Sequence, residues 1–264
     1  KGFTAAAALI AEPSGSRNVC IGSGGSRFFR VRVMGRSETP QSSHHGVNSI
    51  DPAYKIYRAL TRLNQSRQRR LHGKLPNFER SGEGVMFGNG RVTNLIVGKL
   101  KAGDFPATVA GWAEMEGRLG FPSGEDGKGV RDELEKTVRN EAKKDAWMRK
   151  DPPTVEWFNA QREPYQLTNS EPIVNEVCQC VRDVSGTEPT TFATPSSADC
   201  VFFANTVGRL GGIPTVMYGP GGKNAHAADE FVYLEDLVEC TKVIALLIMR
   251  WCGVLSNLRD TASR

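Results

Sequence analysis

The chain has 264 residues, a formal net charge of +5, 39% hydrophobic and 24% charged residues. That length buries a substantial core, and those proportions are ordinary for a globular protein. The six cysteines are too few and too scattered for a disulfide framework and read as free thiols in a reducing compartment, cytoplasm or organelle matrix. The longest apolar run near the end, 243–249, is too short to span a bilayer. Arg67, Arg69, Arg70, Lys74 and Arg80 form the densest basic stretch. No stacking aromatics are interleaved with them, so a solvated helix end explains the charge better than a nucleic-acid groove.

In chain order, residues 5–11 read as a core strand closed by Glu12-Pro13-Ser14-Gly15, and Gly22 to Gly25 as a flexible crossing. Residues 27–34 alternate, with Arg30 and Arg32 on one face and Val31 and Val33 on the other, as in a half-buried strand. A helix follows, capped by Asn48 or Ser49 with Pro52 in its first turn. Its apolar face is expected at Ile50, Ala53, Tyr54, Tyr57, Leu60 and Leu63. A surface loop over 71–90, strands over 92–100 and 108–118, and a helix over 130–147 come next. Strand, helix, strand, strand, helix suits a small α+β layer.

Asp151-Pro152-Pro153 marks a boundary, after which strands and helices alternate. Strands are expected over 154–158, 190–194 and 213–218, and helices over 172–184, 201–210 and 234–252. The α+β layer therefore reads as an insertion in a larger α/β domain. The division is 1–16 for the first α/β segment, 17–150 for the insertion and 151–264 for the second segment.

His226 sits in a loop just past a strand, and Glu12 ends another strand that can reach the same sheet edge. Carboxyl ends of strands are where α/β sheets place ligands. An imidazole and a carboxylate are donors that zinc accepts. A lone loop histidine is nonetheless more often plain surface than a ligand.

Residues 5–14, ending in Glu-Pro-Ser, together with Gly35 and Gly46-Val47-Asn48-Ser49-Ile50, Asp199, Gly212-Ile213-Pro214-Thr215-Val216, the Gly219-Pro220-Gly221 stretch, Ala225-His226-Ala227-Ala228-Asp229-Glu230 and the ending 245–254 occur in a characteristic order. In that order the chain resembles the two-zinc amidohydrolases that include acetylornithine deacetylase, succinyl-diaminopimelate desuccinylase and aminoacylase, over 5–254. The resemblance implies an α/β zinc-peptidase-like catalytic domain interrupted by an α+β lid that often makes a homodimer. It implies hydrolysis of a small N-acyl amine, with Glu12 a ligand of one zinc and His226 of the other. Asp199, Gly221 and Asn224 fall on its substrate side.

The family's His-x-Asp motif, bridging aspartate and Glu-Glu pair have no counterpart here, so the chain is expected to represent the C-terminal portion, inactive alone. The general base lies in the portion without a counterpart, and a companion chain or the lid dimer is expected to complete the assembly. Thr39 stands where a lid histidine is usual, with His44 and His45 nearby but out of register. Val201 replaces an arginine that follows Asp199 in relatives, and Ala107-Thr108-Val109-Ala110 replaces Asn-Val-x-Pro. A non-catalytic assembly subunit is the competing expectation.

Overall fold

The computed structural model describes residues 5–80, 90–205 and 212–253. Parts of the expected loop over 71–90, of the helix over 201–210 and of the 245–254 ending lie outside the described residues. Two sheets organise the rest. The first holds β1 (Ala8–Ile10), β2 (Asn18–Ser23), β7 (Tyr165–Gln166), β8 (Thr190–Thr194) and β9 (Thr215–Met217). β1 runs parallel to β9 and β2 parallel to β8, while β7 joins the end of β2 antiparallel.

Successive side chains of β2 explain why this sheet is covered on both faces. Val19 and Ile21 pack with Val216, Tyr218, α4 (Pro172–Ser185) and α6 (Leu234–Cys252), whereas Cys20 points to Phe192, Cys200 and Met217 on the other side, next to α5 (Cys200–Ala204). A sheet buried on both faces needs apolar side chains in both phases of its period-two pattern, and β2 has no exposed position. That is why the segment reads poorly as an alternating strand. Gly22 is no flexible crossing: its Cα faces Gln166 in the ladder, and a Cβ there would meet the Tyr165 carbonyl at 3.0 Å.

The second sheet is antiparallel, in the order β4 (Asn94–Ala102), β5 (Trp112–Phe121), β3 (Gly25–Met34), β6 (Thr154–Arg162). Its helices are α1 (Ile50–Leu71) and α3 (Gly127–Ala142), which with the strands give the β-α-β-β-α-β order of a ferredoxin-like layer. Phe29, Val31, Val33, Met115 and Leu119 meet Ile56, Leu60, Val130 and Leu134 in one core. Asp126 caps α3 by accepting from the Gly129 N–H at 2.8 Å. A single turn, α2 (Pro76–Glu79), lies against β8, and its Phe78 packs on Ala193. The short pair β10 (Gly222–Lys223) and β11 (Phe231–Val232) completes the fold.

Four further sequence expectations change. The buried stripe of α1 is Ala53, Ile56, Leu60, Leu63 and Arg67, and Ile50, Tyr54 and Tyr57 are exposed on the neighbouring stripe. Arg67 is fully buried rather than solvated, paired with Glu125 and Glu133 and bonded to Thr93 Oγ1 at 3.3 Å. Cys252, whose apolar sequence neighbours suggest a core position, is exposed. Finally β6, expected to open the second α/β segment, is an edge strand of the antiparallel sheet through its pairing with β3. By sheet membership the change of sheet falls at Gly24 on one side and between Arg162 and Tyr165 on the other.

Candidate functional site

Glu12 follows β1, and β9 lies beside β1 in parallel, so both strands deliver the loops after them to the same sheet end. Those loops lie against one another. Tyr218 N–H donates to the Ile10 carbonyl at 3.0 Å, Ser14 N–H to the Gly219 carbonyl at 3.3 Å, and Gly219 N–H to the Ser14 hydroxyl at 3.1 Å. Only glycine permits this approach, because a Cβ at 219 would come within 2.7 Å of the Glu12 carbonyl oxygen.

A cavity of about 410 Å³ opens here, and Glu12 and His226 both line it. Two donors from opposite ends of the chain thus meet at one site. His226 is exposed and has φ 62°, a left-handed conformation rarely adopted by non-glycine residues. Its N–H donates to Glu230 Oε2 at 3.3 Å, and Asn224 Nδ2 donates to the Asp229 carbonyl at 3.2 Å, so the loop is braced by its own side chains.

Asp199 also lines the cavity, where its carboxylate pairs with Arg162 Nη2 at 3.1 Å. Gly221 and Asn224 are not among the lining residues. Gly221 is buried, with its N–H donated to Asp236 Oδ2 at 2.8 Å, and Asn224 is spent on its own loop.

Two charged cavity residues escaped the sequence reading. Arg118 on β5 and Arg162 on β6 reach it from the antiparallel sheet, so both sheets contribute walls. Arg118 donates to the Asn94 side-chain oxygen, a neutral partner. Burial first, and then the charge of Arg162, hold its guanidinium below the usual arginine range. Arg162 lies 4.7 Å from the centroid of the Phe202 ring. Two like charges thus line one cavity, and one of them, Arg162, is balanced by Asp199. No sequence signal singles them out: each is one charged residue of a strand that carries several, and only the sheet order brings them to one cavity. Beneath them Cys20 also faces the cavity, its thiol pushed up to about 12 by burial.

The donor chemistry of Glu12 and His226 suits zinc, but two donors do not make a site for an ion that takes four ligands. Among the described residues no group of three or more His, Cys, Asp or Glu is placed to hold a metal. Glu12 and His226 by themselves therefore do not complete a metal site among the described residues. Also among them, no helix is long and apolar enough to cross a membrane.

A doubly covered α/β sheet and an antiparallel α+β layer thus share one cavity, lined by a carboxylate and an imidazole from loops that follow β1 and β9. The profile of peptidase family M20/M25/M40 matches residues 2–250, and the chain belongs to that family. Among curated proteins it is similar to N-formyl-4-amino-5-aminomethyl-2-methylpyrimidine deformylase of Halalkalibacterium halodurans, 25% identical over 162 residues, covering 58% of this chain and 37% of that protein. The deformylase of the same description from Bacillus subtilis is 54% identical over 43 residues, 16% of this chain and 10% of that one. Among solved structures, a tripeptidase from Staphylococcus aureus superposes with TM-score 0.65 at 15% identity, covering 93% of this chain and 57% of its own. A metallo-carboxypeptidase of Sulfolobus solfataricus gives TM-score 0.64 at 13% identity, over 93% and 63%. These structures share the fold. The chain spans little more than a third of the length of the first deformylase and 57% of the tripeptidase.

Proposed function

We propose that the chain forms part of a zinc-dependent amidohydrolase that cleaves a small N-acyl amine at the cavity shared by the two sheets. The observation that carries this reading is the meeting of Glu12 and His226 in one cavity with Arg118 and Arg162 opposite. Family membership supports hydrolysis, and the metallo-carboxypeptidase neighbour supports a metal. In this reading Glu12 and His226 each give one ligand to a two-metal centre, and the remaining ligands and the general base come from polypeptide outside the described residues. When bound, the metals polarise the acyl carbonyl and supply the attacking water. The chain's own residues orient the substrate: Arg118 and Arg162 hold an anionic group, and Asp199 fixes Arg162.

The acyl group falls within a narrow choice. The curated relatives are deformylases, which supports a formamide; a deacetylase or desuccinylase is the alternative within the same chemistry. The arginine pair favours a substrate with a carboxylate or other anion, as in a desuccinylase.

Residues 25–162 act as the lid in this proposal, inserted between the two α/β segments, and two copies associate through it. The edge strand β4 carries exposed Ile96 and Leu100, and α1 carries exposed Ile50, Tyr54 and Tyr57. Hydrolysis of N-formyl, N-acetyl and N-succinyl amines by the native preparation, before and after chelation, tests the reading. Chelator-sensitive release of one acid from its amide is the expected result, and no metal-dependent release from any of the three contradicts it.

A further inference from the structure

The two loops that carry Glu12 and His226 are tied to a single carboxylate. Asp236 lies in the first turn of α6, half-buried and outside the cavity lining. Its Oδ2 accepts from the Ser16 N–H at 3.2 Å and from the Gly221 N–H at 2.8 Å, and its Oδ1 accepts from the Ser16 hydroxyl at 3.1 Å. Ser16 follows Glu12 in one loop and Gly221 precedes His226 in the other. An acid at this helix position commonly turns back to cap its own helix by accepting from the N-cap amide. Here that amide, Tyr233 N–H, donates instead to the Gly221 carbonyl at 3.0 Å, and the carboxylate faces outward to the loops.

The surroundings are built for the same tie. A Cβ on Gly221 would stand 2.6 Å from Asp236 Oδ2 and 3.3 Å from the Gly15 Cα, so a side chain there would push both loops off the carboxylate. Tyr218 Oη donates to the Ser16 carbonyl at 2.7 Å, which fixes the Ser16 peptide on its other side. The negative charge lies at the N-terminal end of α6, where the helix dipole favours it.

We infer that Asp236 is a positioning residue that sets the spacing of the Glu12 and His226 loops by holding one backbone amide of each. It acts through those amides and touches neither donor side chain. The inference rests on reading Glu12 and His226 as the chain's metal donors, but the tie itself is independent of any bound group.

The experiment compares the full chain with Asp236→Ala, Asp236→Asn and Ser16→Ala by residue-resolved amide exchange, and adds zinc while following the His226 ring resonances. A lost bond to a charged acceptor corresponds to roughly tenfold faster exchange. Asp236→Ala is expected to release both the Ser16 and Gly221 amides by about that factor, leaving β2 and α4 amides unchanged. Asp236→Asn, which keeps an acceptor oxygen, releases them less, and Ser16→Ala leaves Gly221 protected. More zinc is then needed to shift His226 in Asp236→Ala than in the parent chain. Unchanged exchange at either amide in Asp236→Ala, or acceleration spread evenly through the core, overturns the inference. The exchange data decide the tie whether or not zinc moves His226, because the described residues do not complete the proposed ligand set.

Discussion

Arg162 Nη2 on β6 lies 3.1 Å from Asp199 Oδ1, an ion pair that joins the antiparallel sheet to the loop after β8 across the candidate cavity. The resemblance to known hydrolases expected an arginine two positions after Asp199, where Val201 stands. The structure places an arginine beside Asp199 from a different strand. In the proposed reading, the anchor lost from one position is provided from another.

Arg118 and Arg162 should therefore bind anions jointly. With succinate as the probe, Arg118→Leu is expected to weaken binding about tenfold, the scale of one charge-assisted contact. Arg162→Leu should do the same, while succinamide binding stays unchanged. Calorimetric titration reads both. Equal loss for the charged and the neutral probe would count against the pair.

The two stripes of α1 should separate stability from association. Leu60→Ala removes a fully buried side chain and is expected to cost about 2–5 kcal/mol in denaturant unfolding. Tyr57→Ala, on the exposed stripe, should change stability by less than about 1 kcal/mol. If the lid face pairs two copies, it should weaken self-association in sedimentation. The sequence spacing did not distinguish these stripes, because the aromatic bodies of Tyr54 and Tyr57 continue the apolar pattern of Ile56 and Leu60 one step around the helix. Only the sheet decides which stripe is covered.

Glu133 gives a pH signature. Burial raises its pKa, but Arg70 and Arg67 outweigh that and hold the carboxyl below its ordinary 4.5. A depressed folded-state value contributes stability that is present above the unfolded value and lost as pH falls through the folded one. The stability of the chain should thus decline as the pH drops below about 4.5, and Glu133→Gln should flatten that decline while lowering stability at neutral pH. Thermal unfolding across an acid series checks both. Replacing fully buried Arg67 with Ala should be more damaging, because it empties a core position and takes from Glu125 and Glu133 one of their two arginine partners, leaving them only Arg70.

Thiol labelling should find a single fast cysteine. Cys20, Cys178, Cys180, Cys200 and Cys240 are buried, and burial raises each of their pKa values, whereas Cys252 is exposed. In native buffer a disulfide reagent is expected to modify Cys252 first and the other five only on unfolding. Rapid modification of Cys20 would show that the cavity floor is open to solvent.

Periodicity made α4, β8 and α6 legible nearly to the residue, because each has a regular pattern and clear boundaries. The four-stranded layer was legible in element order, since β3 alternates and α3 repeats an apolar position at regular spacing. β2 was missed because a strand buried on both faces has no alternation, and Gly22 with the glycines just after it resembles a linker. β6 was assigned to the wrong sheet because its pairing with β3 is a long-range choice that the local pattern does not encode. That Glu12 and His226 reach the same sheet edge was legible from the strands expected before them, and both line one cavity. Arg118, Arg162 and Asp236 were not, since each owes its place to a contact between distant segments.

The most direct test of the account is metal analysis of the protein purified from its native source, with mass spectrometry of any polypeptide that accompanies it. The account predicts about two zinc ions per complete site. It also predicts polypeptide beyond the described residues bringing further histidine and carboxylate donors, and loss of zinc when Glu12 and His226 are both replaced. Absence of zinc from the native protein, or retention of zinc by the Glu12→Gln, His226→Ala double variant, would contradict it.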